Sequence, residues 1–289
     1  MTTVRAPLRV TFGGGGSDLD VGQGVCLSAT IDKYVTLTVA PHWEPEYVLH
    51  YAQSERWDHA DQIQHRIFRS VLTGLRVQPG IQISSMSDVP GGTGLGNSGA
   101  FTVALIHALR PEISHPELAA LACTYDIGQQ DQWSAVYGGL NIYDFAEGVI
   151  RPVHTPLTER DFALYYTGLR HDSADILTGP PKEFGIAQKQ VARMVTHLEA
   201  GDAQAVGRCF TAQWDYKLQG QPSRTHQLIN QQIRAGLQSG AYGGKLVGAG
   251  DGGFLLFAVH DQTSLAQAMT DIGLRRLPFH FTWEGARCV

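Results

Sequence analysis

The sequence predicts an α+β fold, in which strands and helices interleave without a strict βαβ order. Strand-like runs of β-branched and apolar residues occupy 4–12, 25–39 and 254–259. Apolar residues recur at helical spacing in 98–109 and 203–217. These patterns indicate separate strands and helices, but they leave open whether the chain forms one domain or two.

The first half of the chain contains six predicted elements joined by turns. Pro79 and Gly80 mark a turn before an alternating strand, and a run of glycines follows the first strand. The longest predicted helix rests on apolar residues three and four positions apart between Ile63 and Leu75. In chain order the predicted elements are strand 4–12, strand 25–39, helix 57–75, strand 81–86, helix 98–109 and helix 116–125.

A Pro-containing turn at 155–157 precedes a new strand at 162–167, so we divide the chain into domains 1–155 and 156–289. The second domain has the same mixture of helices and strands as the first. Its remaining predicted elements are helices at 182–198 and 203–217, a glycine loop at 245–253 and a very apolar strand at 254–259.

Acidic residues outnumber basic ones, and the formal net charge is −5. A nucleic-acid-binding protein usually carries a basic stripe, so we expect no nucleic-acid partner. The sequence has no run of 18 apolar residues, and its N-terminus lacks the apolar stretch of a signal peptide. We therefore expect no membrane span, a cytoplasmic location and four reduced cysteines.

A glycine-rich loop at 90–98 lies between the strand at 81–86 and the helix at 98–109. Backbone N–H groups of such a loop, together with the N-terminus of the helix, can bind phosphate oxygens. The Lys-Ser/Thr pair of a Walker A loop is missing, and no Rossmann fingerprint fits. A tight strand-to-helix turn is the simpler alternative. The expected nucleotide contacts are Gly92, Gly94, Leu95, Gly96, Asn97 and Ser98.

Three glycine-centred motifs occur in the order found in one enzyme family. Residues 90–98 (PGGTGLGNS) resemble its second motif, P-x-x-x-G-L-G-S-S, while 6–18 resemble its first motif and 245–254 its third. The stretches 128–132 (GQQDQ) and 137–141 (YGGLN) also fit. The chain is therefore identified as a member of the GHMP kinases, and it is most similar to their D-glycero-D-manno-heptose 7-phosphate kinase branch.

The resemblance implies an N-terminal α+β domain with motifs 1 and 2, a C-terminal ferredoxin-like domain with motif 3, and an active site in the cleft between them. It also implies ATP and Mg²⁺ as cofactors and a small-molecule sugar phosphate as the acceptor, phosphorylated at its anomeric hydroxyl. Heptose 7-phosphate is the first candidate, with an octose 8-phosphate of an antibiotic sugar pathway and an unphosphorylated, fucose-like sugar as alternatives. The competing class is a non-catalytic sugar or nucleotide binder.

The resemblance assigns catalysis to Asp131 and Arg9. Asp131 stands in the family's Gln-Asp-Gln stretch, whose aspartate takes the proton of the attacking hydroxyl. Arg9 matches the arginine of motif 1, where a guanidinium would keep Asp131 ionised and neutralise charge on the phosphoryl group. A surface Asp131 that caps a turn, and an Arg9 paired on the face of a sheet, are the alternatives.

The acceptor is expected to contact motif 1, motif 3 and the segment around residue 170, which lies between them in the chain. Asp18 can accept two hydroxyl hydrogen bonds at once, although it can also stabilise the glycine turn. Asp251 replaces a usual glycine, where it would either tune the choice of substrate or point to solvent. Arg170 would clamp a distal phosphate. We expect Lys217 and Lys245 to be solvated, with phosphate contact as the alternative. The predicted substrate contacts are Ser17, Asp18, Arg170, Gly250 and Asp251.

Ser98 matches the motif 2 serine that binds magnesium, a cation that prefers oxygen ligands. Its hydroxyl can also cap the helix that follows. The second ligand in the family is a Glu on the helix before the catalytic aspartate. That stretch is shorter here, so the resemblance implies Asp126 as the substitute, with a helix-ending Asp126 that binds no metal as the alternative.

Overall fold

The computed structural model describes residues 1–19, 23–169, 184–219, 223–248 and 252–289. Within these ranges the strands form two sheets, one of eight strands and one of four, with helices packed on both. This arrangement confirms the α+β class. None of the helices in the described ranges is long and apolar enough to cross a membrane.

The large sheet is built around the long strand β2. One edge of β2 pairs with β1, and its other edge pairs first with β6 and then with β5. The strand order is β12-β1-β2-β5-β3-β4, with β7 joined to β6. The members are β1 (Thr2–Gly13), β2 (Val25–Pro41), β3 (Tyr47–His50), β4 (Ser54–Trp57), β5 (Ile81–Ser87), β6 (Leu140–Asp144), β7 (Val149–Pro152) and β12 (Arg287–Cys288).

Four helices from the first half of the chain accompany this sheet. The central one, α2, is buried from Gly99 to Ala108, which explains its almost continuous apolar sequence. The predicted helix at 98–109 is therefore confirmed. The four helices are α1 (Arg66–Gly74), α2 (Asn97–Leu109), α3 (His115–Cys123) and α4 (Gln130–Tyr137).

The predicted helix at 57–75 is wrong over its first half, because α1 begins only at Arg66. The reason is the buried carboxylate of Glu55. It accepts hydrogen bonds from the Trp57 indole at 2.7 Å and from the backbone N–H groups of Gln64 and His65 at 2.6 and 3.1 Å. These bonds hold the intervening residues in an irregular turn.

The small sheet has the order β11-β8-β10-β9, and all of its neighbours are antiparallel. The predicted strand at 254–259 and helix at 203–217 are confirmed, whereas Lys245, predicted to lie in a loop, belongs to strand β9. The strands are β8 (Phe162–Tyr166), β9 (Ala241–Leu246), β10 (Phe254–Val259) and β11 (Arg275–Leu277), and the helices on this sheet are α6 (Ala203–Lys217), α7 (Arg224–Leu237) and α8 (Gln262–Asp271). Helix α5 (Phe184–Glu199) packs on α6 and on β1 and β2 of the large sheet.

The two sheets share one hydrophobic core. The ring of Phe12, at the end of β1, lies 5.2 Å from the ring of Phe162 on β8 and 5.6 Å from that of Phe210 on α6. The end of the chain also returns to the large sheet, where Cys288 pairs with Val4. The division at residue 155 that we propose thus separates β7 from β8, and the last strand crosses it.

The contact between α6 and β9 generates a first prediction. A Cβ atom added at Gly243 would lie 1.8 Å from the carbonyl oxygen of Gly207. Gly243→Ala should therefore lower the free energy of unfolding by about 1–3 kcal/mol, as overpacking does elsewhere. Denaturant unfolding measures this loss. Gly185→Ala is the matched control, because nothing lies within 4 Å of that position; equal losses in both variants would contradict the packing argument.

Candidate active site

The loop between β5 and α2 adopts a backbone conformation that requires its glycines. Gly92, Gly94 and Gly96 have φ angles of 70°, 80° and 76°, in the left-handed region that other residues rarely occupy. Gly96 is the N-cap residue of α2. The N–H groups of the first turn of α2 therefore lie at the end of this loop, in the arrangement that binds anions in proteins.

Two of the predicted nucleotide contacts hold the loop itself. Leu95 is fully buried, and its carbonyl oxygen accepts the backbone N–H of Arg9 at 3.0 Å. The Asn97 amide donates to the Ser87 hydroxyl at 2.6 Å and to the Val89 carbonyl at 3.2 Å. The Leu95 backbone thus ties the loop to β1, and the Asn97 side chain ties the end of the loop to the residues just before its start.

Arg9 and Asp131 form an ion pair directly beside this loop. The Asp131 Oδ1 atom lies 2.8 Å from Nε and 2.6 Å from Nη2 of Arg9. The third guanidinium nitrogen, Nη1, donates to the Gly94 carbonyl. The Arg9 side chain is 8% exposed and that of Asp131 is 23% exposed. The pair thus joins β1, the glycine loop and α4, and it leaves the carboxylate partly accessible.

The first turns of α2 and α4 touch each other at two glycines. A Cβ atom at Gly96 would lie 3.1 Å from Cγ of Arg9 and 3.3 Å from Cγ of Asp131. At Gly99 it would lie 2.5 Å from Cβ of Asp131. The anion-binding end of α2 and the Asp131 carboxylate are therefore neighbours, and they can approach this closely because Gly96 and Gly99 have no side chains.

The environment of Asp131 makes its carboxylate a stronger base than usual. Burial raises the pKa of Asp131 above its ordinary value, Arg9 acts in the opposite direction, and the negative charges of Asp18 and Asp126 raise this pKa further. A carboxylate with a raised pKa binds a proton more readily, which suits a group that must remove one from an alcohol.

Asp18 caps the helix that carries Asp131. Its Oδ2 atom accepts the backbone N–H groups of Gln129 and Gln130, each at 3.1 Å, and its Oδ1 atom accepts that of Gly16 at 3.3 Å. An aspartate at a helix N-terminus satisfies free donors and interacts favourably with the helix dipole. The geometry therefore favours the turn-stabilising alternative for Asp18, and its role toward a substrate stays a prediction.

The hydroxyl of Ser17 also forms its hydrogen bonds within the chain. Its hydroxyl oxygen lies 2.8 and 3.0 Å from the carbonyl oxygens of Gly14 and Val25, which share its one proton, and it accepts the Val25 N–H at 3.1 Å. Only 2% of the residue is exposed. This arrangement favours a role in closing the glycine turn over the predicted contact with an acceptor.

The third motif reaches the glycine loop through its backbone. A Cβ atom at Gly94 would lie 2.3 Å from the Val247 carbonyl oxygen, and one at Gly253 would lie 2.2 Å from the Thr93 carbonyl oxygen. Motifs 2 and 3, which are about 150 residues apart, thus pack directly against each other. The predicted substrate contacts Arg170, Gly250 and Asp251 lie outside the described residues.

The two predicted magnesium ligands differ in how well they fit. Ser98 lies in the first turn of α2, and its hydroxyl makes no hydrogen bond to the described residues. The Asp126 carboxylate instead receives a hydrogen bond from Arg66 Nη2 at 2.7 Å. No cluster of three or more His, Cys, Asp or Glu residues in the described ranges can hold a metal. Mg²⁺ usually takes one or two protein ligands besides phosphates and water, so Ser98 fits the role of a magnesium ligand. The pairing of Asp126 with Arg66 favours the alternative in which Asp126 binds no metal.

Sequence reasoning missed two residues at this site, Gly99 and Gln130, and it misjudged the exposure of Lys245. Gly99 allows Asp131 to approach α2, and a glycine inside a helical pattern was the available signal. Gln130 donates to the Thr11 hydroxyl at 2.6 Å, which no local pattern indicates. Lys245 is only 5% exposed, so the expectation of a solvated side chain is wrong, whereas Lys217 is half-buried and donates to the Gly248 carbonyl at 3.0 Å.

A helix N-terminus suited to phosphate, next to an arginine-bound carboxylate with a raised pKa, is the arrangement of a phosphotransferase that acts on an alcohol group. The model of the GHMP kinases N terminal domain matches residues 61–139, and that of the GHMP kinases C terminal domain matches 194–273. The chain belongs to the GHMP kinase family.

Individual relatives agree with this family. The chain is 25% identical to a D-glycero-alpha-D-manno-heptose 7-phosphate kinase of Campylobacter jejuni over an alignment of 339 positions including gaps, which covers 99% of both chains. It is 25% identical to a homoserine kinase of Streptococcus pneumoniae, covering 86% of this chain and 88% of that one. The crystal structure of a D-glycero-D-manno-heptose 1-phosphate kinase from Bacteroides thetaiotaomicron superposes with a TM-score of 0.77 at 22% identity, covering 100% and 99% of the two chains.

The Asp126–Arg66 pair generates a second prediction. Asp126→Asn should leave the Mg²⁺ concentration for half-maximal activity unchanged, because its carboxylate is bound to Arg66. Asp126→Asn and Arg66→Gln should each lower the free energy of unfolding by about 0.5–1 kcal/mol, since the arginine is largely exposed. Ser98→Ala should instead raise the Mg²⁺ requirement.

Thermal unfolding and Mg²⁺ titrations of these three variants and of the Asp126→Asn/Arg66→Gln double variant check this prediction. The double variant should lose no more stability than either single variant. A tenfold or larger rise in the Mg²⁺ requirement of Asp126→Asn, without one in Arg66→Gln, would identify Asp126 as a metal ligand.

Proposed function

We propose that this chain is an ATP-dependent sugar kinase that phosphorylates the anomeric hydroxyl of D-glycero-D-manno-heptose 7-phosphate. The observation that carries the proposal is the Arg9–Asp131 ion pair packed against the start of α2. A protein that only binds a sugar or a nucleotide needs no base with a raised pKa beside its phosphate loop. The pair therefore supports catalysis over the competing binder.

In the proposed reaction Asp131 accepts the proton of the sugar hydroxyl as the hydroxyl oxygen attacks the γ-phosphorus of ATP. The bond between that phosphorus and the β,γ-bridging oxygen breaks, and ADP leaves. Arg9 has two tasks: it orients Asp131 through Nε and Nη2, and its charge stabilises the negative charge of the transferring group.

The glycine loop and the first turn of α2 would bind the triphosphate through backbone N–H groups. Mg²⁺, when bound, neutralises the β- and γ-phosphate oxygens, and the Ser98 hydroxyl would be its ligand from this chain. The close packing of motif 3 on Gly94 supports a single site made from both halves of the chain.

The choice of acceptor rests on the similarity to the Campylobacter jejuni heptose 7-phosphate kinase, which extends over 99% of both chains. Arg170 is proposed to bind the distal phosphate, and Asp18, Gly250 and Asp251 to contact the sugar. Only the short connector 124–129 separates α3 from α4. A short connector would leave a larger acceptor site, so an octose 8-phosphate is the second candidate acceptor.

The test is ADP release with a panel of acceptors in the presence of Mg²⁺: heptose 7-phosphate, octose 8-phosphate, fucose and homoserine. ³¹P NMR of the product should locate the new phosphate on the anomeric carbon. Asp131→Asn should keep its affinity for ATP and lose roughly 10²–10⁴-fold in turnover, the usual contribution of a positioned base.

The exposed Asp58 provides a matched control, and Asp58→Asn should turn over like the unchanged chain. Unaltered turnover of Asp131→Asn would contradict the role of that carboxylate. Binding of ATP and heptose 7-phosphate without ADP release would favour the binder, and a preference for fucose or homoserine would replace the proposed acceptor.

The raised pKa of Asp131 generates a prediction for the pH profile. Only the ionised carboxylate can accept a proton, so kcat should fall with decreasing pH, with an apparent pKa above the ordinary value of an aspartate. Arg9→Met removes the cation that favours the ionised form, so this fall should move to higher pH. Arg9→Lys keeps a cation and should move it less.

Arg5 lies on the same strand and stacks over the Tyr34 ring 3.9 Å away, so Arg5→Met is the control and should leave the profile in place. The profile is measured at saturating ATP and acceptor. The role of Asp131 as the base would be contradicted if kcat fell at the pKa of an ordinary aspartate. It would also be contradicted if Arg9→Met did not shift the pH at which kcat falls.

A further inference from the structure

A β-bulge interrupts β1 just before the glycine turn of motif 1. Thr11 pairs with Ser28 and Gly13 pairs with Leu27, so Phe12 is the extra residue without a partner on β2. A buried carbonyl at such a position needs a donor from elsewhere. Two side chains of the second half of the chain supply donors: Gln213 Nε2 at 2.9 Å and Lys245 Nζ at 3.1 Å.

Lys245 is buried at the contact between β9, α6 and the end of β1. Its Nζ atom also lies 2.9 Å from Gln213 Oε1 and 5.2 Å from the centre of the Phe210 ring. Burying an ammonium group costs free energy, and an apolar side chain would fill the same space at lower cost. The presence of a cation at this position therefore indicates that a long side chain with a hydrogen-bond donor is needed to reach the Phe12 carbonyl.

The residues that follow Phe12 connect it to α4, the helix that carries Asp131. The next residues form the turn 13–18, which the Ser17 hydroxyl closes onto Val25. Asp18 at the end of this turn caps α4 through the N–H groups of Gln129 and Gln130. A displacement of the turn would thus move the first turn of α4, where Asp131 lies.

We propose that Lys245, assisted by Gln213, is a positioning residue that holds the motif 1 turn against the small sheet and thereby aligns Asp131 with the phosphate loop. The proposal rests on the proposed function for its kinetic consequences, but the contact it invokes is structural and can be tested separately. Lys245 acts on Asp131 through the Phe12 carbonyl, the motif 1 turn and Asp18.

The first test measures hydrogen exchange in the full chain and does not depend on activity. Lys245→Met removes the donor and the charge but keeps the length of the side chain. Amides of the turn 13–18 and of Gln129 and Gln130 should exchange at least tenfold faster, while those of α2 and of the large sheet beyond β1 should not change. Lys189→Met, on an exposed position of α5, is the control.

The second test is kinetic. Lys245→Met should lower kcat by roughly 10–100-fold and raise KM for the acceptor, because small misplacements of catalytic groups have effects of this size. KM for ATP should stay unchanged. Lys245→Arg keeps a cationic donor and should recover part of kcat, and Gln213→Leu should act in the same direction as Lys245→Met but not additively with it.

Unchanged exchange at 13–18 and 129–130 in a folded Lys245→Met variant would overturn the proposal, and so would faster exchange spread evenly over both sheets. If Lys245→Met does not fold, Gln213→Leu carries the same exchange test, and Lys245→Arg, which keeps a donor, should exchange more nearly like the unchanged chain. An inactive parent chain with the predicted local exchange would contradict the proposed function and leave the positioning role standing.

Discussion

The ion pair between Arg9 and Asp131 is the contact on which the site depends, because it joins three elements that lie far apart in the chain. Arg9 belongs to β1, its guanidinium also binds the carbonyl of Gly94 in the phosphate loop, and Asp131 stands 122 residues away on α4. Removing either charge would leave the other largely buried without its partner, which is costly in proteins. The same contact therefore stabilises the fold, and it opposes the rise in the pKa of Asp131 that burial causes.

The helix that carries Asp131 is held from both ends of the chain. α4 has only eight residues, and a helix this short is not stable alone. Asp18 caps its N-terminus, while the backbone N–H of Ala286 donates to the Ala135 carbonyl at 2.7 Å near its C-terminus. This explains why the last strand returns to the large sheet. The proposed link from Lys245, on the small sheet, to Asp131 runs through the motif 1 turn and this cap.

Much of the fold was predictable where a segment is long and its pattern is strong. The helix at 98–109 and the strand at 254–259 are buried along most of their lengths, so their apolar runs are unambiguous. The short strands β3 and β4 were not predicted, since four residues carry too little periodicity. The helix predicted from residue 57 failed because a buried carboxylate, Glu55, captures the N–H groups that a helix would use.

For the site, the amino-acid sequence indicated the local features: a glycine loop before a helix and the residues that resemble a family of kinases. Such features depend on backbone conformations that neighbouring residues impose. Only the tertiary structure decided the partners of the charged side chains. Asp126 binds Arg66, 60 residues away, and Lys245 binds the carbonyl of Phe12, 233 residues away. Burial and charge pairing arise from the packing of distant segments, and no local pattern encodes which segments will meet.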